Sequence, residues 1–284
     1  MAYVPTIKRR RLGSALRRLR EQAGHSTESS AAALGWSQSK VSRIETATVA
    51  VSPADVRALL DLYDVQSEEL TALVDLAMED RPPSWWRQYS EVLPENFSGY
   101  LSLESEASRI FAYESEVVPG LLQTDDYART VLAQHPLAVM PDEVERSTQL
   151  RRARQGRLHG DDPLHLDVVV SESALRRVVG GPAVMREQLS HLLEMAALPN
   201  VTLRILTFAA GAHPATNGSF RVLDFPDADD PRIVCLDTMV TTTYREGLRE
   251  VGAFLLAHER LRGMALDPDR SGAFLRGLVK DGNQ

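Results

Sequence analysis

The sequence predicts an α+β protein in two parts: an all-α unit of five helices, then an α+β domain with a mainly antiparallel sheet. Three observations carry this reading. Up to residue 80, apolar residues recur at three- and four-residue spacing between cap residues. At 80–86 the run DRPPSWW sets two prolines in succession, which no helix continues through. Beyond residue 164, four short runs rich in β-branched residues alternate with turns and helices. The expected division is 1–80, a linker at 81–99, and 100–284.

The first helix carries Leu12, Leu16, Leu19 and Ala23 on one face, and Gly24 stops it. Ser26 caps a second helix running to Leu34, which Gly35 ends. Ser37 caps a third, QSKVSRIET. In SPAD, Ser52 is a cap, Pro53 takes the first helical position and Asp55 sits in the first turn. Val56, Leu59, Leu60 and Tyr63 then face inward. Ser67 opens a fifth helix whose apolar side is Leu70, Leu73, Val74 and Ala77.

Helical spacing continues through about 100–115, 124–134 and 141–158. The predicted strands are 164–170, 201–208, 219–225 and 232–238, with a helix at 182–197 between the first two. Asn217-Gly218 signals a hairpin turn between the second and third strands. Two helices, 246–264 and 268–280, close the domain. Trp85, Trp86 and Tyr89, within that linker segment, are read as packing between domains in preference to an exposed partner patch.

Helices two and three, joined by a turn containing Gly35, make a helix-turn-helix. Val41 and Ile44 turn toward the core beside Leu34, leaving Gln38, Ser39, Ser42 and Arg43 outward, with Lys40 at the flank. Ala31 is small enough for the two helices to cross closely. Such side chains bond base edges without the repulsion of a carboxylate: glutamine suits adenine and arginine guanine. The N-terminal residues of such a helix reach into the major groove of double-stranded DNA. One such helix covers few base pairs, so a homodimer on a palindromic operator is expected.

Charge supports this. The chain carries −7 overall, yet residues 1–45 hold nine basic side chains against three acidic, leaving −13 on the remainder. A basic head on an acidic body suits a polyanionic partner. Arg9, Arg10 and Arg11 are read, with Lys8, as a phosphate-contacting arm, joined by Arg17, Arg18 and Arg20 where they face outward.

RRRLGSALRRLREQAG, GWSQSKVSRIET and VSPADVRALLDLY resemble the N-terminal domain of xenobiotic-response-element-type (XRE), Cro/repressor-like helix-turn-helix regulators. SEVVPGLLQTDDYA, LPNVTLRILTF and GAHPATNGSFRVLDFP are similar to signatures of the uncharacterised C-terminal domain that follows it in two-part regulators from high-GC bacteria. The arginine excess, with Lys8, Lys40 and Lys280 the only lysines, accords with such a source. The resemblance implies an antitoxin-like or developmental transcriptional regulator, often paired with a small protein encoded nearby. It places the DNA-facing role on Gln38, Ser39, Ser42 and Arg43, with Ser37, Lys40 and Thr27 beside them. Three positions depart from the pattern. Thr27 stands where a bracing glutamine is usual, Ser30 where a leucine is common, and Ala47 where glycine precedes basic residues. A left-handed Ala47 would cost ~1 kcal/mol or somewhat more, and the loop loses phosphate contacts, so weaker non-specific affinity is expected.

In the second domain His159, Asp161, Asp162 and His165 offer nitrogen and oxygen ligands, but at no metal-site spacing, and a polar loop entering a strand accounts for them. DFPDADDP lacks the glycine and terminal glutamate of a calcium loop. His213 lies in a small-residue loop and is read as bonded to backbone. Arg151, Arg152, Arg154 and Arg157 are read as a solvated helix face, with Glu143 and Glu145 as partial neutralisers. No nucleophile elbow, Walker loop, dinucleotide fingerprint or zinc-protease motif occurs, so neither an enzyme nor a cofactor is expected. Cys235 alone excludes an intramolecular disulfide and a cysteine zinc cluster. With no long apolar run and no apolar leader, the expected home is the cytoplasm, away from membranes. The alternative reading is an interaction module, an antitoxin holding a small partner through its second domain.

Overall fold

The computed structural model of the chain describes residues 5–79, 88–89, 97–135, 140–227, 230–239 and 241–281. The expected boundary at 80–86, with Trp85 and Trp86, lies outside the described residues. Two compact units emerge: the described residues up to 79 join 98–106, and those from 107 onward join 88–89 and 97.

The first unit holds α1 (Ile7–Gln22), α2 (Thr27–Leu34), α3 (Gln38–Glu45), α4 (Pro53–Leu62) and α5 (Ser67–Glu79), with most of α6 (Phe97–Glu106). Each expected cap is in place. Ser26, Ser37 and Ser52 accept the amide hydrogens of Ser29, Lys40 and Asp55, and Gly35 ends α2 in the left-handed region at φ 67°. Thr6 caps α1 earlier than the sequence suggested, adding its basic residues to the helix. Leu12, Leu16 and Leu19 of α1 pack with Ile44, Val56, Leu59, Leu60, Tyr63, Val74 and Ala77 as one core.

The second unit is built on a six-stranded mixed sheet. Its strands are β1 (Arg109–Glu114), β2 (His165–Ser171), β3 (Val201–Leu206), β4 (Phe220–Asp224), β5 (Ile233–Asp237) and β6 (Thr242–Arg245). They lie in the order β3-β2-β1-β4-β5-β6. Three of the five pairings are antiparallel; β1–β2 and β2–β3 are parallel. The helices are α7 (Asp125–Ala133), α8 (Pro141–Gln155), α9 (Glu172–Arg176), α10 (Pro182–Met195), α11 (Leu248–Met264) and α12 (Pro268–Asp281). No described helix is long and apolar enough to cross a membrane.

Two expectations fail here. Helix was read through 100–115, but it ends at Glu106 and β1 follows. As the central strand, β1 buries Ile110 and Ala112 on one face and Tyr113 on the other, so no polar alternation betrays it. Nor does Asn217-Gly218 close a hairpin. Strands β3 and β4 are separated by β2 and β1, and residues 207–219 carry the chain past both. β6, only four residues long, went unread.

On one sheet face Tyr113, Val169, Phe220, Val222 and Val234 pack with Val251 and Leu261 of α11. Residues of opposite parity, such as Leu166, Val168 and Ile205, are buried too.

Candidate nucleic-acid interface

Helix α3 is pinned to the core by two side chains three residues apart. Val41 is fully buried and Ile44 is 3% exposed, while Gln38, Ser39, Ser42 and Arg43 are exposed. The period of the helix makes this division: with Val41 and Ile44 turned inward, Ser39, Ser42 and Arg43 fall on the outer side and Gln38 at its edge, while Glu45 turns toward Arg20 of α1. α2 packs against α3, and its Ala31 is buried.

The exposed face is held at both ends. At the N-terminus Gln38 Nε2 donates to Thr27 Oγ1 at 3.2 Å, and the Ser37 hydroxyl is occupied as the cap. Thr27 therefore meets Gln38 itself, where the resemblance places a bracing glutamine. At the C-terminus Thr46 and Thr48 hydroxyls donate to the Ser42 and Arg43 carbonyls, at 2.8 and 3.1 Å. Between them Ala47 sits at φ 58°, in the left-handed region that would favour a glycine. Arg43 Nε donates to the Ser39 carbonyl at 3.2 Å, laying the guanidinium along its own helix.

Ser30 is wholly buried, and Tyr63 donates its hydroxyl hydrogen to Ser30 Oγ at 3.3 Å. A buried hydroxyl without a partner would cost about 1–3 kcal/mol, so this bond is what makes serine tolerable in a leucine's place.

The basic residues differ from expectation. Lys8 to Arg11 form the first turn of α1, not an extended arm, and Arg9 is 6% exposed. Arg10 Nε donates to the Pro5 carbonyl at 3.2 Å, and Arg11 is half-buried. Arg17 pairs with Glu21 and Arg18 with Glu69. Arg20 is buried against Glu45. Lys40 Nζ lies 2.9 Å from Asp55 Oδ1 and 3.6 Å from the centre of the Trp36 ring. Only the Arg17–Glu21 pair, at i, i+4 in α1, is visible in sequence spacing; the partners of Arg18, Arg20 and Lys40 are set by how the helices pack.

A helix-turn-helix domain model matches residues 11–73, which span this arrangement. The model of a domain of unknown function (DUF5753) matches residues 97–277, more than half the chain. The chain belongs to the DUF5753 family. No curated protein and no solved structure matches it.

Within the DUF5753 domain the remaining candidates resolve as structure. His159, Asp161, Asp162 and His165 are all exposed, and no metal-holding group of three or more such residues gathers among the described residues. His213 Nδ1 accepts the Ala215 amide hydrogen at 3.3 Å, and Nε2 lies 3.5 Å from the Tyr113 hydroxyl. Asp224 pairs with Arg232. Of the arginines in and just past α8, only Arg152 is solvated, where it pairs with Asp125; Arg154 is buried, Arg151 bonds Gln123, and Arg157 donates to the Ala107 carbonyl. Glu145 pairs with Arg129, and Glu143 accepts the Met140 amide hydrogen at the start of α8.

Proposed function

We propose that this DUF5753 protein is a cytoplasmic, XRE-like, sequence-specific transcriptional regulator that binds a palindromic operator as a homodimer. The observation that carries the reading is the exposed face of Gln38, Ser39, Ser42 and Arg43 on a helix fixed by Val41 and Ile44. Arg43, released from the Ser39 carbonyl, reads guanine; Gln38, tethered to Thr27, reads adenine. Each bidentate contact is worth ~1–3 kcal/mol of discrimination. Lys8, Arg10 and Arg11 contact phosphates, which adds affinity without sequence information. The second domain receives the signal, whether a ligand or a small protein encoded nearby.

A gel shift comparing operator with random DNA tests this. Gln38→Ala and Arg43→Ala should each reduce discrimination, by ~1–3 kcal/mol for each contact removed, while leaving circular dichroism unchanged. Unaltered discrimination in both variants refutes the assignment.

A further inference from the structure

Of five buried side-chain atoms that lack a hydrogen bond among the described residues, three gather on one face of the sheet: Asp167 Oδ1, Arg204 Nε and Arg262 Nε. The register brings them there. In the parallel β2–β3 ladder Asp167 stands beside Thr202 and Val169 beside Arg204, so Asp167 and Arg204 rise from the same face. It is the face that α11 covers: His258 bonds the Asp167 carbonyl, and Arg262 Nε lies 3.4 Å from Asp167 Oδ2. Just past α11 the Leu266 amide donates to the Ile205 carbonyl at 2.9 Å, which sets Arg262, one turn earlier, near Arg204 on the edge strand. Phe111, half-buried, stands directly beside Asp167 in β1. Native structures leave few buried polar atoms unpaired, because each has given up its bonds to water.

We propose that these groups bind a small carboxylic acid with a hydrogen-bond donor on the carbon next to its carboxylate, an α-hydroxy or α-amino acid. Arg204 selects the acid group. Arg262 is shared by Asp167 and by Glu259, 3.0 Å from its Nη1, whereas Arg204 has no ion-pair partner among the described residues. A guanidinium offering Nε and one Nη matches a carboxylate in two parallel bonds. Asp167 selects the rest. A carboxylate oxygen only accepts, so Oδ1 takes the hydroxyl or ammonium of the ligand. Its charge also disfavours a phosphate, which would set a doubly negative group against it. The way in is open, since the Asp167 and Arg262 side chains are 17% and 34% exposed.

This inference names a ligand for the second domain of the proposed regulator, and rests on that reading only for the ligand's use as a signal. Ligand-observed NMR titrations of the full chain without DNA test it, with propionate, lactate and alanine as a matched series. Lactate or alanine should bind at least about tenfold more tightly than propionate, the worth of one hydrogen bond to a charged group. Which of the two binds tighter tells hydroxyl from ammonium. Inorganic phosphate should bind more weakly than that acid. Arg204→Gln should abolish binding without lowering the thermal midpoint, which loss of a structural arginine would lower. Asp167→Asn should shrink the preference over propionate. Binding of neither lactate nor alanine would mean that ordered water fills the site, and overturns the proposal. So would phosphate as the tighter ligand, or unchanged binding by Arg204→Gln. A chain that binds the acid but no operator loses the regulator reading alone; one that reads operator but binds neither acid loses this site alone.

Discussion

Arg20 and Glu45 close a two-pronged ion pair between the first and third helices, Nε to Oε1 at 2.7 Å and Nη2 to Oε2 at 3.0 Å. Their side chains are 9% and 6% exposed. Arg20 Nη1 also donates to the His25 carbonyl at 2.8 Å, so one guanidinium holds α1, the turn before α2 and the end of α3. The bond to Glu45 raises the guanidinium pKa further above its ordinary range, so the arginine stays charged. Glu45→Gln therefore leaves a buried charge with only the more exposed Glu21, 3.5 Å from Nη2, as counter-ion. Urea denaturation should show a loss of about 3–5 kcal/mol, because breaking a buried pair costs far more than breaking a surface one. Added salt should change the wild-type value little at this pair. A loss below about 1 kcal/mol would mean that the pair is no more than a surface contact.

Gly13 marks the closest approach of the same two helices. A Cβ there would stand 2.6 Å from the Glu45 carbonyl oxygen and 2.9 Å from that of Ile44. Both are backbone atoms that cannot swing aside. Gly13→Ala should cost at least about 2 kcal/mol, despite alanine's better helix propensity. Gly277→Ala in α12, where nothing lies within 4 Å, should instead stabilise by about 0.5–1 kcal/mol. Equal effects in thermal melts would contradict the steric account.

Lys40 shares the helix that faces DNA in the proposed regulator, but Asp55 and Trp36 hold it. Asp55→Asn should release the ammonium to a phosphate. Affinity for any duplex should rise, and the slope of log K against log salt should steepen by about 0.9 for each protomer bound. Operator preference should stay as it was. Fluorescence anisotropy over a salt series reads both, and an unchanged slope would show that Lys40 does not reach the backbone when freed.

His258 is buried on the sheet-facing side of α11, with its Nε2–H donating to the Asp167 carbonyl at 3.1 Å and the Phe111 ring edge-on at 5.4 Å. Burial holds its pKa below the ordinary histidine value. The Asp167 carboxylate opposes this, Arg262 adds to it, and Glu259 opposes it more weakly. The unfolded chain thus takes up the proton at a higher pH than the folded one. This histidine's contribution to stability is complete above about pH 6.5 and is lost as pH falls toward the folded pKa. Unfolding free energies between pH 7 and pH 5 should drop in the wild type and drop less in His258→Gln. Identical slopes would remove His258 as the titrating group.

The N-terminal helices were legible because their signals are local. Ser26, Ser37, Ser52, Gly35 and Pro53 each act within one turn of their own position, and α3's buried and exposed faces follow from a 3.6-residue period. The exposed set Gln38, Ser39, Ser42 and Arg43 could therefore be read from spacing alone. What escaped depends on contacts distant in sequence. Arg20 looked like one more surface arginine until Glu45 met it, and Arg9 disappeared into the first unit once Thr6 started α1 early. Strand β1 was hidden for a related reason. A central strand buried on both faces shows no period of two, and the helical spacing before it ran on unopposed. The Asn217-Gly218 turn was locally sound, but its strands were already separated by β1 and β2.

Selection of bound sequences from a random duplex pool, using the full-length chain and Arg43→Ala side by side, tests the central claim most directly. Wild type should enrich two inverted half-sites about one helical turn apart. The variant should enrich a pool that has lost a conserved guanine in each half. Enrichment of the same motif by both proteins, or of none by the wild type, would contradict the account.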